Sequence, residues 1–119
     1  MPTLIAGIKN KKAGLKIVFD TDVNIVASFE NICSDGKYKN LAYITVGTGI
    51  GVGLVINGQM VHGLIHPEGG HIKVPIHEGD KDFKGVCAFH GNGLEGLCTN
   101  VSIAERLGLA SVDDNVNIP

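Results

Sequence analysis

The chain has 119 residues, of which 44% are hydrophobic and 18% are charged, and its formal net charge is −2. This length suits one domain with a modest core, and this composition excludes a disordered chain. No apolar run approaches the roughly 20 residues of a membrane span, and the only basic cluster, residues 9–16, is typical of a solvated helix end. We therefore expect a soluble, cytoplasmic protein without a membrane or nucleic-acid partner.

The cysteines and glycines indicate which kinds of site the chain can hold. Cys33, Cys87 and Cys98 are too few and too scattered for a disulfide framework, so they indicate reduced thiols or metal ligands. Many of the 17 glycines fall between Gly47 and Gly96. This density indicates turns, or a backbone that approaches a ligand closely.

The first half of the chain predicts a strand followed by a helix. Residues 15–19, LKIVF, are typical of a buried strand. Residues 23–32, VNIVASFENI, predict a helix packed on a sheet, with Thr21 or Asp22 near its N-cap. Ser-Asp-Gly at 34–36 predicts the end of this helix.

The central part of the sequence predicts an antiparallel meander. The sequence as a whole predicts an α/β fold with a mixed sheet. LAYITVG (41–47), VGLVING (52–58) and QMVHGLI (59–65) are typical of strands, and TGIG forms a glycine-rich turn between the first two. Asn57-Gly58 is a strong hairpin signal because both residues tolerate positive φ.

Residues beyond the meander predict a long ordered loop and a helical tail. Residues 67–93 have little periodicity, and a loop of this length in a compact domain is usually functional. LEGLCT and SIAERLG predict two helical segments. Ser102 and Glu105 match a capping box, and Gly108 matches a C′ glycine.

A glycine-rich hairpin, TVGTGIGVG at 45–53, is the first candidate binding element. It is neither a Walker A loop nor a Rossmann fingerprint, because it joins two strands and opens no helix. Gly47, Gly49 and Gly51 with Thr48 would let backbone N–H groups converge on an anion. From these residues alone, a tight hairpin turn explains the pattern equally well.

Two further motifs carry carboxylates. In FDTDVN (19–24), Asp22 follows the predicted strand at the edge of the sheet, where it is either a general base or a helix N-cap. In HPEGGH (66–71), Glu68 and His71 are separated by glycines, so they either face one small polar ligand or form a surface turn.

A metal site is the fourth possibility. His71 with the C-x-x-H pair Cys87 and His90 has good spacing for zinc. A structural zinc site needs four ligands, and the next expected position is Gly93, which has no side chain. His77 and Cys98 are the nearby substitutes, so the residues leave the presence of zinc open.

In this order the four motifs resemble those of the ROK sugar kinases, and most closely the bacterial fructokinases within that family. TDVN resembles the catalytic-aspartate motif, TVGTGIGVG the second phosphate motif, and HPEGGH the sugar-binding element. Residues 71–96 resemble the zinc segment running into the Leu-Glu-Gly stretch. The resemblance covers residues 12–109. The occurrence of all four motifs in this order is far more specific than any single motif.

The resemblance implies an actin-like, hexokinase-type (ribonuclease H-like) ATPase lobe that phosphorylates a hexose, most simply fructose to fructose 6-phosphate, with ATP and Mg. It implies one partial kinase domain over residues 1–119, with these segments: catalytic aspartate 12–33, phosphate hairpin 41–65, sugar and zinc loop 66–93, helical tail 94–109. It implies these roles: Asp22 as base; Gly47, Thr48, Gly49 and Gly51 beside the phosphate; Glu68, His71 and Glu95 on the sugar; His71, Cys87 and His90 on structural zinc.

The sequence departs from the family pattern at two points. Gly93 stands where the relatives have a cysteine, so the fourth zinc ligand is missing. The Asp-x-Gly-x-Thr phosphate motif is not found, so we expect a central fragment with negligible turnover and, through exposed apolar surface, possible homodimerisation. The alternatives are a non-catalytic sugar- or zinc-binding remnant and, last, a sugar-responsive repressor, which would need a winged helix.

Overall fold

The computed structural model describes residues 16–64 and 66–112 of the chain. The helices and strands are α1 (Asp22–Cys33), β1 (Leu41–Val46), β2 (Ile50–Ile56), β3 (Gln59–Met60), α2 (Leu94–Cys98) and α3 (Asn100–Leu107), with 3₁₀ turns at Gly69–His71 and Glu78–Asp80. The predicted α/β class is confirmed. No helix within the described ranges is long and apolar enough to cross a lipid bilayer.

The predicted meander is confirmed, and its three strands are all antiparallel in the order β1-β2-β3. Asn57 and Gly58 form its tight turn with φ of 52° and 76°. The third strand is much shorter than the predicted 59–65, and this prediction is wrong. After Met60 the chain leaves the sheet, and His62 bonds to Asp20 at 2.8 Å instead of continuing the ladder.

Helix α1 begins and ends where the sequence predicts. Thr21 is its N-cap, since its side chain accepts a hydrogen bond from the Asn24 amide, and Ser34 is its C-cap. The helix packs on the sheet through Val23, Asn24 and Ala27, all of which are buried. Three further apolar residues do not share this face, since Ile25, Phe29 and Ile32 are 56%, 60% and 68% exposed, and Val26 is half-buried.

The predicted buried strand at 15–19 is wrong for the residues that the structure describes. Residues 16–20 are not in a strand, and the side chains of Val18 and Phe19 are 89% and 57% exposed. No described strand lies beside this segment, so it has neither a ladder nor a covered face. Leu15 and the basic residues at 9–12 lie outside the described residues.

The backbone of β2 is approached closely from two sides. A Cβ at Gly53 would lie 2.1 Å from the carbonyl oxygen of Val23, at the start of α1. A Cβ at Gly70 would lie 2.1 Å from the carbonyl oxygen of Ile50, at the start of β2. Only glycine fits at these two positions. They bring the first turn of α1 and the turn Gly69–His71 against the same strand.

The helical tail is confirmed, but its predicted capping box is wrong. Helix α3 begins one turn earlier, because Thr99 is the N-cap and accepts from the Ser102 amide at 3.3 Å. Ser102 is buried inside the helix, where its hydroxyl donates to the Thr99 carbonyl at 2.7 Å. The predicted C-terminal glycine is confirmed, since Gly108 has φ of 66°.

We predict that Gly53→Ala lowers the free energy of unfolding by more than about 2 kcal/mol, because the new methyl group meets backbone that cannot move aside cheaply. Gly47→Ala is the matched control: a Cβ there meets nothing within 4 Å, so the change should stay within about 0.5 kcal/mol. Urea unfolding of both variants measures the difference. Equal stabilities would contradict the close packing of α1 on β2.

Candidate functional site

Asp22 lies in the first turn of α1, and its carboxylate is not the helix cap. Thr21 takes that role, so Asp22 makes only a local contact, in which its Oδ1 accepts from the Val23 amide at 2.9 Å. The residue is exposed and lines two adjacent cavities. The carboxylate is therefore accessible to a ligand in either cavity.

The glycine-rich hairpin is held in place by the helical tail. The Gly47 amide donates to the Gly49 carbonyl at 3.0 Å, and the Gly47 carbonyl accepts from the Asn100 amide at 3.0 Å. Within the part of the chain that the structure describes, the amides of Thr48 and Gly49 have no hydrogen-bond partner. Two N–H donors of a preorganised turn therefore remain available to an anion.

Glu95 joins the hairpin from the start of α2. Its Oε2 accepts from the Ile50 amide at 2.9 Å, and its Oε1 lies 3.9 Å from Nδ1 of His71. The Glu95 side chain is 23% exposed. This carboxylate therefore links the glycine-rich hairpin to the turn that carries His71.

The larger cavity has a volume of about 410 Å³, within the ~300–1,000 Å³ range of small-molecule pockets. Its polar lining brings together residues from three separate segments of the sequence, namely Asp22, Thr45, Gly47, Thr48, Gly49, Gly51 and Glu95. The cavity is open to solvent along one side. One predicted base, the whole predicted phosphate hairpin and one predicted sugar-binding carboxylate thus face a common space.

A second cavity of about 190 Å³ adjoins the first and shares Asp22 and Gly51 with it. Its far wall is formed by His66, Pro67 and Glu68. Glu68 is therefore also brought to Asp22. His71 lines neither cavity, but its Nε2 lies 3.9 Å from Oε2 of Glu68.

Glu68 has an unusual backbone, with φ of 51° and ψ of 48° in the left-handed region. A non-glycine residue in this region costs on the order of 1–3 kcal/mol, and such residues concentrate at ligand-binding sites. The conformation starts the turn Gly69–His71, which packs on β2. Backbone strain is thus present at one of the predicted sugar-binding residues.

The three predicted metal ligands lie together. Nδ1 of His71 is 3.1 Å from Nδ1 of His90, and Sγ of Cys87 is 3.7 and 3.9 Å from these two nitrogens. A tetrahedral zinc ion with Zn–N of ~2.0–2.1 Å and Zn–S of ~2.3 Å separates its ligands by roughly 3.3–3.6 Å. The cluster therefore fits a tetrahedral metal ion of that size.

The local backbone explains why three predicted metal ligands meet and why a fourth ligand is missing. An isolated bridge pairs Cys87 with Gly91 and presents Cys87 and His90 on one side. Gly93 is the N-cap of α2 and offers no side chain. Neither predicted substitute joins the cluster: Nδ1 of His77 accepts from the Gly79 amide at 3.1 Å, and Cys98 is exposed elsewhere.

The loop that carries these ligands is tied to α3 by an ion pair. Arg106 donates through Nε to Oδ1 of Asp80 at 2.9 Å and through Nη2 to Oδ2. The same guanidinium donates to the Leu97 carbonyl and lies 3.9 Å from the centre of the Phe83 ring. The hydrogen bonds from Arg106 lower the pKa of Asp80, and the hydrogen bond to Asp80 raises the pKa of Arg106.

Comparison with known proteins identifies the family of this chain. The ROK family model matches residues 5–115. The chain belongs to the ROK family. The chain is 46% identical over 100 residues to a fructokinase of Zymomonas mobilis (82% of this chain, 33% of the relative), and 38% identical over 107 residues to a putative fructokinase of Bacillus subtilis (89% and 35%). It thus spans about a third of the length of these relatives.

The fold is similar to that of a solved ROK hexokinase from Thermus thermophilus. The TM-score is 0.63 at 22% identity, over 86% of this chain and 34% of the hexokinase. The described helices and strands therefore correspond to a part of the ROK fold, as the resemblance implied.

Sequence reasoning missed one wall of the second cavity. His66 belongs to the quoted HPEGGH motif, but only Glu68 and His71 were selected from it. Asp20 and His62, which lie behind His66, were not selected either. The available signal is the pair of histidines four residues apart, His62 and His66, of which the second opens the HPEGGH motif.

The Asp80–Arg106 pair predicts a pH-dependent contribution to stability. Folding lowers the pKa of Asp80 below its ordinary value of 3.8, so the ionised carboxylate stabilises the folded state. This stabilisation is present above pH 3.8 and is lost as the pH falls through the pKa of the folded state. Arg106→Gln should therefore destabilise the protein more at pH 7 than at pH 3. Urea unfolding at both values measures this.

Lys81→Gln is the control for charge removal, since Lys81 forms an exposed ion pair with Glu78. We expect its effect to be small at both pH values. A loss of stability in the Arg106 variant that is the same at pH 7 and pH 3 would show that Arg106 acts only through the Leu97 and Ser102 carbonyls and the Phe83 ring.

Proposed function

We propose that this chain supplies the sugar- and phosphoryl-binding part of an ATP-dependent hexose kinase, and that its hexose is fructose. The observation that carries the proposal is the single open cavity lined by Asp22, the hairpin 47–51 and Glu95, with Glu68 in the adjoining cavity. The relatives that are named as fructokinases support fructose as the hexose. The complete reaction is part of the proposal, because the chain spans about a third of those relatives.

Asp22 is the general base in this proposal. A carboxylate in reach of a bound sugar takes the proton of the attacking hydroxyl as the bond to phosphorus forms. Asp22 suits this role because Thr21 carries the cap of α1 and leaves the carboxylate of Asp22 exposed in the cavity.

The hairpin stabilises the transferred phosphoryl group. The unpaired amides of Thr48 and Gly49 are fixed donors for its oxygens, and the Thr48 hydroxyl adds a third. Magnesium bound to the phosphates of ATP supplies further charge neutralisation. Phosphoryl transfer requires such positioning and electrostatic stabilisation more than covalent chemistry from the protein.

Three side chains bind the sugar. Glu68 and Glu95 provide carboxylate acceptors for hydroxyl groups on two sides of Asp22. His71 uses its two nitrogens differently: Nδ1 faces the metal cluster, and Nε2 faces Glu68. With Nδ1 on a metal, the proton lies on Nε2, where it is donated towards Glu68 or a sugar hydroxyl.

The metal in this proposal is a structural zinc ion. His71, Cys87 and His90 would hold it, with a water molecule in place of the side chain that Gly93 lacks. Zinc would fix the two ends of the sugar loop relative to each other, and through His71 it would orient the donor towards Glu68.

We predict that the purified chain retains close to one zinc per molecule after dialysis against metal-free buffer, because three donors are already in position. Cys87→Ser should lose the metal, and Cys33→Ser, which alters an exposed thiol outside the cluster, should not. Gly93→Cys should bind zinc more tightly in competition with a chelating dye. A stoichiometry near zero for the unaltered chain would remove zinc from the proposal.

The role of Asp22 is tested in a chimera that carries this chain in place of the matching segment of the Zymomonas mobilis fructokinase. Asp22→Asn should lower kcat by about 10²- to 10⁴-fold, because the general base is lost. The KM for fructose should change much less, since Glu68 and Glu95 are intact. Coupled ADP release with fructose and ATP measures both constants.

Asp35→Asn in the same chimera is the matched control, because Asp35 is exposed and its left-handed backbone suits asparagine. This variant should match the unaltered chimera. Unchanged kcat in Asp22→Asn would exclude Asp22 as the base. An unaltered chimera that binds fructose but shows no turnover would favour the alternative, a sugar- or zinc-binding module without catalysis.

A further inference from the structure

A buried carboxylate lies behind the second cavity and has no role in the proposal above. Asp20 has a side chain only 5% exposed. Its Oδ1 accepts from the Thr21 amide and from Nδ2 of Asn24, both at 2.8 Å, and its Oδ2 pairs with Nε2 of His62 at 2.8 Å. Asp20 therefore joins the start of α1 to the segment that follows β3.

His66 lies near the other oxygen of the same carboxylate. Its Nδ1 is buried, lies 3.8 Å from Oδ1 of Asp20 and has no hydrogen-bond partner in the described ranges. The side chain as a whole is 35% exposed, so the exposed area belongs to the rest of the ring. That ring lines the second cavity together with Asp22 and Glu68.

Asp20 is ionised, and this determines what His66 presents to the cavity. Burial alone would raise the pKa of Asp20, but the hydrogen bonds from Asn24, His62 and the Thr21 amide together lower it. A carboxylate next to one ring nitrogen of a neutral histidine favours the tautomer with the proton on that nitrogen. The proton of His66 then lies on Nδ1, and Nε2 carries a free lone pair.

We propose that His66 is a further hexose-contacting residue, whose Nε2 accepts a hydrogen bond from a sugar hydroxyl, and that Asp20 is the positioning residue that fixes the His66 ring. This inference rests on the proposed hexose-binding function and extends it to a fourth side chain. His62 acts through Asp20, because it binds Oδ2 of the carboxylate whose Oδ1 lies near His66. The His66 ring lines the second cavity together with the carboxylates of Asp22 and Glu68.

The first part of the test reads the tautomer of His66 without any sugar. Long-range ¹H–¹⁵N correlation spectra of the isotope-labelled chain should show the proton of neutral His66 on Nδ1. Asp20→Asn should shift it towards Nε2, and the surface variant Asp35→Asn should not. An Nε2-protonated ring in the unaltered chain, or a tautomer that Asp20→Asn leaves unchanged, would overturn the positioning role of Asp20.

The second part follows the His66 ring and the Glu68 amide during a fructose titration. Both signals should move together, and His66→Phe should raise the Kd by about 2- to 10-fold, the expected loss for one hydrogen bond. His66→Gln, whose amide reaches the position of Nε2, should recover most of the affinity. Asp35→Asn again serves as the control.

The outcomes separate this inference from the function on which it rests. Fructose that shifts the Glu68 amide, while the His66 ring does not respond and His66→Phe binds normally, would overturn the inference and leave the proposed function standing. No binding of fructose to the unaltered chain would overturn both.

Discussion

The close approach of main chain to the middle and to the start of β2 is the constraint on which the candidate site depends. At Gly53 the carbonyl of Val23 occupies the space of a side chain, and at Gly70 the carbonyl of Ile50 does the same. A methyl group at either position would push away the segment that carries Asp22 or the one that carries Glu68. The glycines therefore decide how near the proposed base lies to the proposed sugar-binding residues, because β2 is the surface on which both segments rest.

The proposed metal and sugar functions meet in His71. Its Nδ1 belongs to the cluster with Cys87 and His90, and its Nε2 faces Glu68. A metal on one nitrogen fixes the proton on the other, so the loop would present a defined donor to the cavity. The ion pair between Asp80 and Arg106 holds the same loop to α3 from outside the cluster. A metal ion would add a further fixed point to a loop that this ion pair already holds.

Local sequence signals predicted turns and helix ends well. They failed where burial depends on residues that are distant in the sequence. Thr21 and Gly108 end their helices because capping depends on adjacent residues, and Asn57-Gly58 forms its turn for the same reason. The apolar run 15–19 was predicted to be a buried strand, but Val18 and Phe19, which the structure describes, are exposed. In the site, motif order indicated which segments belong together. It could not reveal that His66 lines the second cavity, since that depends on how the chain turns from β3 towards Asp20.

The central claim is that three segments distant in the sequence form one binding site for a hexose and a phosphoryl group. A titration of the ¹⁵N-labelled chain with fructose, followed by amide chemical shifts, tests this most directly. The account predicts that amides around Asp22, the hairpin 47–51 and Glu68 shift along one binding curve with a common Kd. Shifts confined to a single segment, or separate curves for the segments, would show that they do not form one site.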